Sequence, residues 1–144
     1  LPNEILIPEI ARLVAAGQTV VFTPSGVSMR PYIEGGRDSV ILGPAGKVKV
    51  GDIVLAQLEV NGAYVLHRVI GIRDGKYKLM GDGNLQGYET TSRHLILAKV
   101  VEIRSARGYR KPLTRAWLWR HTLCLRALGL KLYRKIILKI AYND

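Results

Sequence analysis

Cysteine is nearly absent from this chain: among 144 residues there is one, Cys124. A single cysteine cannot form an internal disulfide, and it excludes a zinc ribbon or any other cysteine-rich metal cage. The three histidines are scattered, with no carboxylate pair at ligand spacing around them, and the chain has no Walker or dinucleotide fingerprint. The sequence therefore predicts no metal site and no cofactor.

Long apolar runs are missing as well. No stretch of about 18 uninterrupted apolar residues suggests a transmembrane helix. The first ten residues lack the basic start and apolar core of a signal peptide. From these two features we expect a cytoplasmic protein, with association to a membrane surface left open.

Acidic residues are scarce in one region of the chain. Residues 1–103 hold 11 Lys and Arg against 10 Asp and Glu, whereas residues 104–144 hold 11 Lys and Arg against one acid, Asp144. Nearly all of the net charge of +11 therefore belongs to the C-terminal part. This asymmetry predicts a nearly neutral body that carries a strongly basic tail.

Hydrophobic periodicity divides the chain into three parts. Residues 1–17 have helical spacing and form a predicted N-terminal helix, residues 18–104 favour a β domain, and residues 105–144 combine a basic linker with an amphipathic helical tail. Asn61-Gly62 and Asp74-Gly75 are two-residue hairpin signals. We expect a mostly β, partly open barrel-like body with strands at 19–23, 39–43, 53–58, 63–72, 77–80 and 96–103.

Three polar residues stand in settings that suit chemistry. Ser28 lies in a turn framed by Gly and Pro, which can project a hydroxyl toward a substrate while nearby amides stabilise an oxyanion. His67 shares a strand face with Val65 and Val69 and could be a general base held by a rigid strand. Asp82, at a strand end, could orient that base. Each residue taken alone is more often an ordinary turn or core residue.

Taken together in chain order, these segments resemble the LexA-like and type I signal-peptidase superfamily of serine peptidases, over about residues 18–103. The residues that carry the resemblance are Ser28-Met29-Arg30-Pro31, Arg37-Asp38-Ser39-Val40-Ile41-Leu42, Gly51-Asp52-Ile53-Val54-Leu55, His67-Arg68-Val69-Ile70, Gly81-Asp82-Gly83-Asn84 and Leu97-Ala98-Lys99-Val100-Val101. His67 stands where bacterial signal peptidases have Lys and the endoplasmic-reticulum type has His.

The resemblance implies a serine endopeptidase with the LexA/signal-peptidase fold. Ser28 would be the nucleophile, His67 the base and Asp82 the residue that orients His67. The oxyanion hole would consist of the Ser28 amide, with Ser25 as a helper, because Gly26 stands where the family often has a serine. We expect the substrate, a peptide or protein, to bind as an extended strand against Met29, Pro31 and Val65.

Other functions stay open at this point. The same fold could serve as a non-catalytic peptide-binding or adaptor module. A nucleic-acid-binding role is disfavoured, because the basic residues of the tail are interleaved with Leu and Ile rather than grouped. If the chain is a peptidase, the sequence leaves both self-cleavage and cleavage of another chain possible.

The tail has two interpretations. A helical wheel places an apolar stripe opposite a broad basic face. The stripe could pack on the β body or against the tail of a second copy in a homodimer. Alternatively, residues 113–141 could lie on an anionic membrane surface, with Trp117 and Trp119 at headgroup level. The stripe consists of Leu118, Leu125, Leu132, Ile136 and Ile140.

Overall fold

The structure is a computed structural model that describes residues 2–26, 28–30, 32–106, 108–112, 123–133 and 135–136. Two α-helices, eight β-strands and one 3₁₀ turn form within these ranges. None of the helices described is long and apolar enough to span a membrane. The elements are α1 (Asn3–Ala15), β1 (Val20–Phe22), β2 (Ser39–Gly43), β3 (Ile53–Gln57), β4 (Tyr64–Arg73), β5 (Lys76–Met80), β6 (Glu89–Ser92), the 3₁₀ turn (Arg93–Leu95), β7 (Ile96–Ser105), β8 (Gly108–Arg110) and α2 (Leu123–Tyr133).

All eight strands belong to one antiparallel sheet. The strand order is β1-β2-β7-β3-β4-β5-β6, and β8 pairs with the end of β7. No pairing between β1 and β6 joins the two edges in the described part of the chain, so the sheet is not a closed barrel. The prediction of a mostly β protein with an N-terminal helix is confirmed.

Two strands, β6 and β8, were not predicted from the sequence. β6 consists of Glu-Thr-Thr-Ser, which has no apolar alternation, yet Thr91 is fully buried and its hydroxyl donates to the Gln57 carbonyl. β8 lies within residues 105–112, which the sequence analysis interpreted as a linker. Both strands form because a longer neighbour offers free backbone hydrogen-bonding groups.

The core has two clusters that share strand β3. Ile53 and Leu55 contact the cluster under α1, whereas Val54 and Ala56 belong to a second cluster. All four side chains are buried, so β3 is covered on both faces. The first cluster also contains Ile7, Ile10 and Val14 from α1, which are the three buried residues of that helix.

A β-bulge in the β4–β5 hairpin sets which side chains share a face. From Arg73↔Lys76 to Gly71↔Lys78 the pairing follows the Asp74-Gly75 turn, and beyond Gly71 it shifts by one residue to Val69↔Leu79 and Arg68↔Met80. A shift of one residue exchanges the two faces for everything that follows along the strand.

Candidate active site

Ser28 lies on a short turn that is anchored by the residues that follow it. The N–H groups of Tyr32 and Ile33 both donate to the Met29 carbonyl, and the side chains of Met29 and Ile33 are buried in the first core cluster. Ser28 itself is half-buried. The buried residues after Ser28 therefore hold a partly accessible hydroxyl in a defined position.

Strand β4 brings His67 to this hydroxyl. Its Nε2 lies 3.2 Å from the Oγ of Ser28, and 6% of the residue is exposed. His67 pairs with Val54 in the centre of the sheet, so its backbone is held by a neighbouring strand. The structure thus brings together two of the three residues that the sequence analysis selected for catalysis.

The second ring nitrogen of His67 contacts Glu89, the first residue of β6. The distance from Nδ1 to Oε2 of Glu89 is 3.2 Å. A carboxylate accepts the Nδ1 hydrogen, which leaves Nε2 as an acceptor for the Ser28 hydroxyl. The three side chains therefore form a hydrogen-bonded series from carboxylate to imidazole to hydroxyl.

Asp82, which we expected to orient His67, binds Arg68 instead. The Arg68 Nε donates to Oδ1 and Nη2 donates to Oδ2 of Asp82, each at 2.8 Å. The bulge explains the difference: continued without a shift, the hairpin register would place Asp82 opposite His67. The observed pairing of Arg68 with Met80 puts Asp82, two residues beyond Met80, on the face of Arg68.

The registers of β4 with β5 and of β5 with β6 also place Glu89 beside His67. Val69 pairs with Leu79, and Leu79 pairs with Glu89, so these three residues share a face with His67, two residues before Val69. Glu89 was not among the residues selected from the sequence. Its position depends on the registers of two successive hairpins, and no local motif marks it.

The Gly81-Asp82-Gly83 segment supports the backbone of the Ser28 turn. The Gly83 N–H donates to the Ser28 carbonyl at 2.7 Å, and the Asp82 N–H points at the Met29 sulfur at 3.4 Å. A Cβ atom on Gly81 would overlap the Ser28 carbonyl oxygen, so a side chain there would displace the turn. The segment that we expected to orient His67 therefore supports the Ser28 turn instead.

The Arg68–Asp82 pair is buried on the opposite side of β4 from His67. Arg68 is 1% exposed, its Nη1 donates to the Gly51 carbonyl at 2.8 Å, and its guanidinium lies 5.2 Å from the centre of the Tyr32 ring. Arg110 of β8 also lies over that ring at 4.5 Å and donates to the Tyr32 carbonyl. β8 thus helps to hold the segment that follows Ser28.

A buried carboxylate, Asp38, stabilises the segment after the Ser28 turn. Burial disfavours the charged form of Asp38, but hydrogen bonds from Arg37 and from the Glu34 N–H outweigh it and hold the pKa of Asp38 below its ordinary value. Gly35 packs directly on Gly26, since a Cβ atom on Gly35 would overlap the Gly26 carbonyl oxygen. Both contacts fix the backbone on either side of Ser28.

A cavity of about 150 Å³ opens beside the Ser28–His67 contact. Met29 and Val65, both predicted to bind substrate, line it, and so does Ser25, the predicted helper of the oxyanion hole. Pro31, the third predicted binding residue, lies outside the described residues. The other lining residues are Pro24, Gly26, Ser28, Ile33, Gly35, Tyr64, Leu66 and His67.

Within the part of the chain that the structure describes, no group of three or more His, Cys, Asp and Glu side chains is arranged to hold a metal ion. The polar side chains that line the cavity are those of Ser25, Ser28, Tyr64 and His67, and Glu89 contacts His67 from outside the lining. No protein-family model matches the sequence, and no curated protein is significantly similar to it.

Proposed function

We propose that this protein is a serine endopeptidase in which Ser28 is the nucleophile, His67 the general base and Glu89 the residue that orients His67. The observation that carries the proposal is the continuous series of hydrogen bonds from Glu89 through His67 to Ser28 at the mouth of a cavity. Nucleophile, base and orienting group in such contact are the arrangement that activates a serine hydroxyl.

The residues act in a defined order. His67 takes the proton from the Ser28 hydroxyl as Oγ attacks the scissile carbonyl, and the Glu89 carboxylate stabilises the imidazolium that forms. His67 then gives the proton to the leaving amine, and a water activated in the same way hydrolyses the acyl-enzyme. The amide of Ser28, with Ser25 nearby, is the proposed donor to the oxyanion.

We assign the LexA/signal-peptidase superfamily as the proposed family. Its support is the order of the sequence segments together with their spatial roles: the Ser28 turn meets the His67 strand, and the Gly81–Asn84 segment supports the turn. The substrate is an extended peptide that passes the cavity beside Met29 and Val65.

The test combines cleavage with covalent labelling. The wild-type chain is incubated with a mixed peptide library and, separately, with a fluorophosphonate probe, and products are identified by mass spectrometry. Ser28→Ala and His67→Ala should each abolish cleavage, and Ser28→Ala should remove the label. The double variant should be little worse than either single variant, because the two side chains act as a unit.

Ser39→Ala is the matched control, since the hydroxyl of Ser39, the first residue of β2, forms its hydrogen bond with Thr23, just after β1, rather than with His67. It should keep wild-type cleavage. If Ser28→Ala also keeps it, the assignment of the nucleophile is wrong. If the wild type neither cleaves nor reacts with the probe, the peptidase proposal fails and a non-catalytic peptide-binding module on this fold takes its place.

A further inference from the structure

Helix α2 carries an apolar ridge that faces solvent. Leu128 and Leu132 are four residues apart on one side of α2 and are 64% and 55% exposed, and Ile136, three residues beyond the end of the helix, is 47% exposed. Leu130 is on the other side and is 2% exposed. The helix therefore buries one side, while Leu128 and Leu132 on the other side and Ile136 just beyond its end remain uncovered.

Basic side chains border this ridge. Lys131 and Lys135 are exposed, and each is adjacent in sequence to a ridge residue. The surrounding chain is strongly basic as well, with a net charge of +10 over residues 104–144 against +1 over residues 1–103. An exposed apolar strip with a cationic border is the pattern of a helix that lies in a membrane interface.

We propose that the ridge of Leu128, Leu132 and Ile136 docks on an anionic lipid surface, with Lys131 and Lys135 at the headgroups. Charge favours a lipid surface over a second copy of the chain as the binding partner. Two copies of the tail would each bring a net charge of +10 to a shared interface, which opposes pairing, whereas an anionic bilayer attracts the same charge. Each basic residue near such a surface strengthens binding about fivefold. The proposal is independent of the peptidase chemistry.

The experiment is co-sedimentation of the full chain with vesicles. One preparation is neutral phosphatidylcholine. The other contains about 30% phosphatidylserine, which approximates an anionic leaflet. The wild type should bind the anionic vesicles at least about tenfold more tightly and should lose that preference at high salt. Light scattering on the same samples without lipid measures the oligomeric state.

Two variants separate the apolar contribution from the charge. Leu128→Ser/Leu132→Ser/Ile136→Ser should weaken binding to anionic vesicles by about tenfold or more, while Val60→Ser, which removes an 84% exposed valine from the β3–β4 turn, should leave it unchanged. Lys131→Glu/Lys135→Glu should weaken binding to anionic vesicles by about 30-fold or more. The control Lys47→Glu/Lys49→Glu, which makes the same charge change at exposed lysines of the β2–β3 loop, should have a smaller effect.

Three outcomes would overturn the proposal. Equal affinity for neutral and anionic vesicles, or no binding to either, removes the lipid surface as occupant. A ridge variant that binds like the wild type, while the lysine variant fails, indicates attraction to any polyanion, nucleic acid included. A lipid-free dimer that the ridge variant dissociates identifies a second copy as the occupant.

Discussion

The two faces of strand β4 put adjacent residues to opposite uses. His67 faces a cavity, and its two ring nitrogens contact a half-buried serine and a partly exposed glutamate. Arg68 faces the interior, and its guanidinium is held by a buried aspartate and a backbone carbonyl. One network is open to a ligand, and the other is sealed.

This difference shows how a sheet can separate reactive groups from structural ones. A cavity opens on the His67 face, so the hydrogen bonds of His67 can exchange with a bound molecule. On the Arg68 face two charges are almost fully desolvated, and removing either would leave the other unpaired at a high cost. The two carboxylates, Glu89 and Asp82, should therefore respond differently to the same kind of substitution.

The largest effect should be on activity at Glu89. Glu89→Gln keeps an acceptor for the Nδ1 hydrogen but removes the charge that stabilises the imidazolium, so kcat/KM for a cleaved peptide should fall by about 10²- to 10⁴-fold. The free energy of unfolding should change by less than about 1 kcal/mol, because Glu89 is partly exposed. Glu89→Asp should restore part of the activity.

Glu59→Gln provides the control, since Glu59 pairs with Lys76 on the surface and should leave kcat/KM unchanged. A Glu89→Gln variant with wild-type kcat/KM would show that the contact with His67 plays no part in cleavage.

The opposite face should show its effect in stability. Asp82→Ala leaves the buried guanidinium of Arg68 without its carboxylate and should lower the free energy of unfolding by about 3–5 kcal/mol. Urea denaturation measures this loss. The double variant Arg68→Met/Asp82→Leu should recover most of it, because a buried pair can be replaced by apolar side chains at little cost. A single-variant loss below about 1 kcal/mol would mean that the pair is not desolvated in solution.

The contact between the two regions can be tested at Gly81. Gly81→Ala pushes a methyl group against the Ser28 carbonyl oxygen, so it should cost about 1–3 kcal/mol of stability and also lower kcat/KM. Gly71→Ala is the matched control, because its new methyl group would meet a Lys78 side-chain carbon at 3.7 Å, an ordinary contact distance. Equal activity of the two variants would contradict the support role of the Gly81 segment.

The smallest effect concerns acid stability at Asp38. Its pKa is lowered in the folded protein, so its stabilising contribution is present above its ordinary value of 3.8 and is lost as the pH falls through the lower folded value. Thermal melts between about pH 5 and 2 should show a weaker pH dependence for Asp38→Asn than for the wild type. At neutral pH the variant should be less stable by roughly 1 kcal/mol. Parallel curves for the two proteins would show that Asp38 does not contribute to the loss of stability in acid.

Much of the fold could be predicted because its signals are local. α1 has apolar residues at helical spacing, and the strands from β2 to β5 are bounded by turn residues that lie beside them in sequence. The meeting of Ser28 and His67 was also predictable, although from the resemblance of segments rather than from spacing. β6 and β8 were not predictable, since each is short and polar and forms by pairing with a strand that is already in place.

The choice between the two carboxylates was decided by tertiary structure. By itself the sequence determined that Ser28 stands in a framed turn, that His67 stands on a strand, and that an Asp-Gly turn joins β4 to β5. Whether Asp82 or Glu89 reaches His67 depends on the bulge between Val69 and Gly71 and on the register of β5 with β6. Because side chains alternate between the two faces of a strand, a slip of one residue in register would move a carboxylate from one face to the other. The register itself is set by how the whole sheet packs.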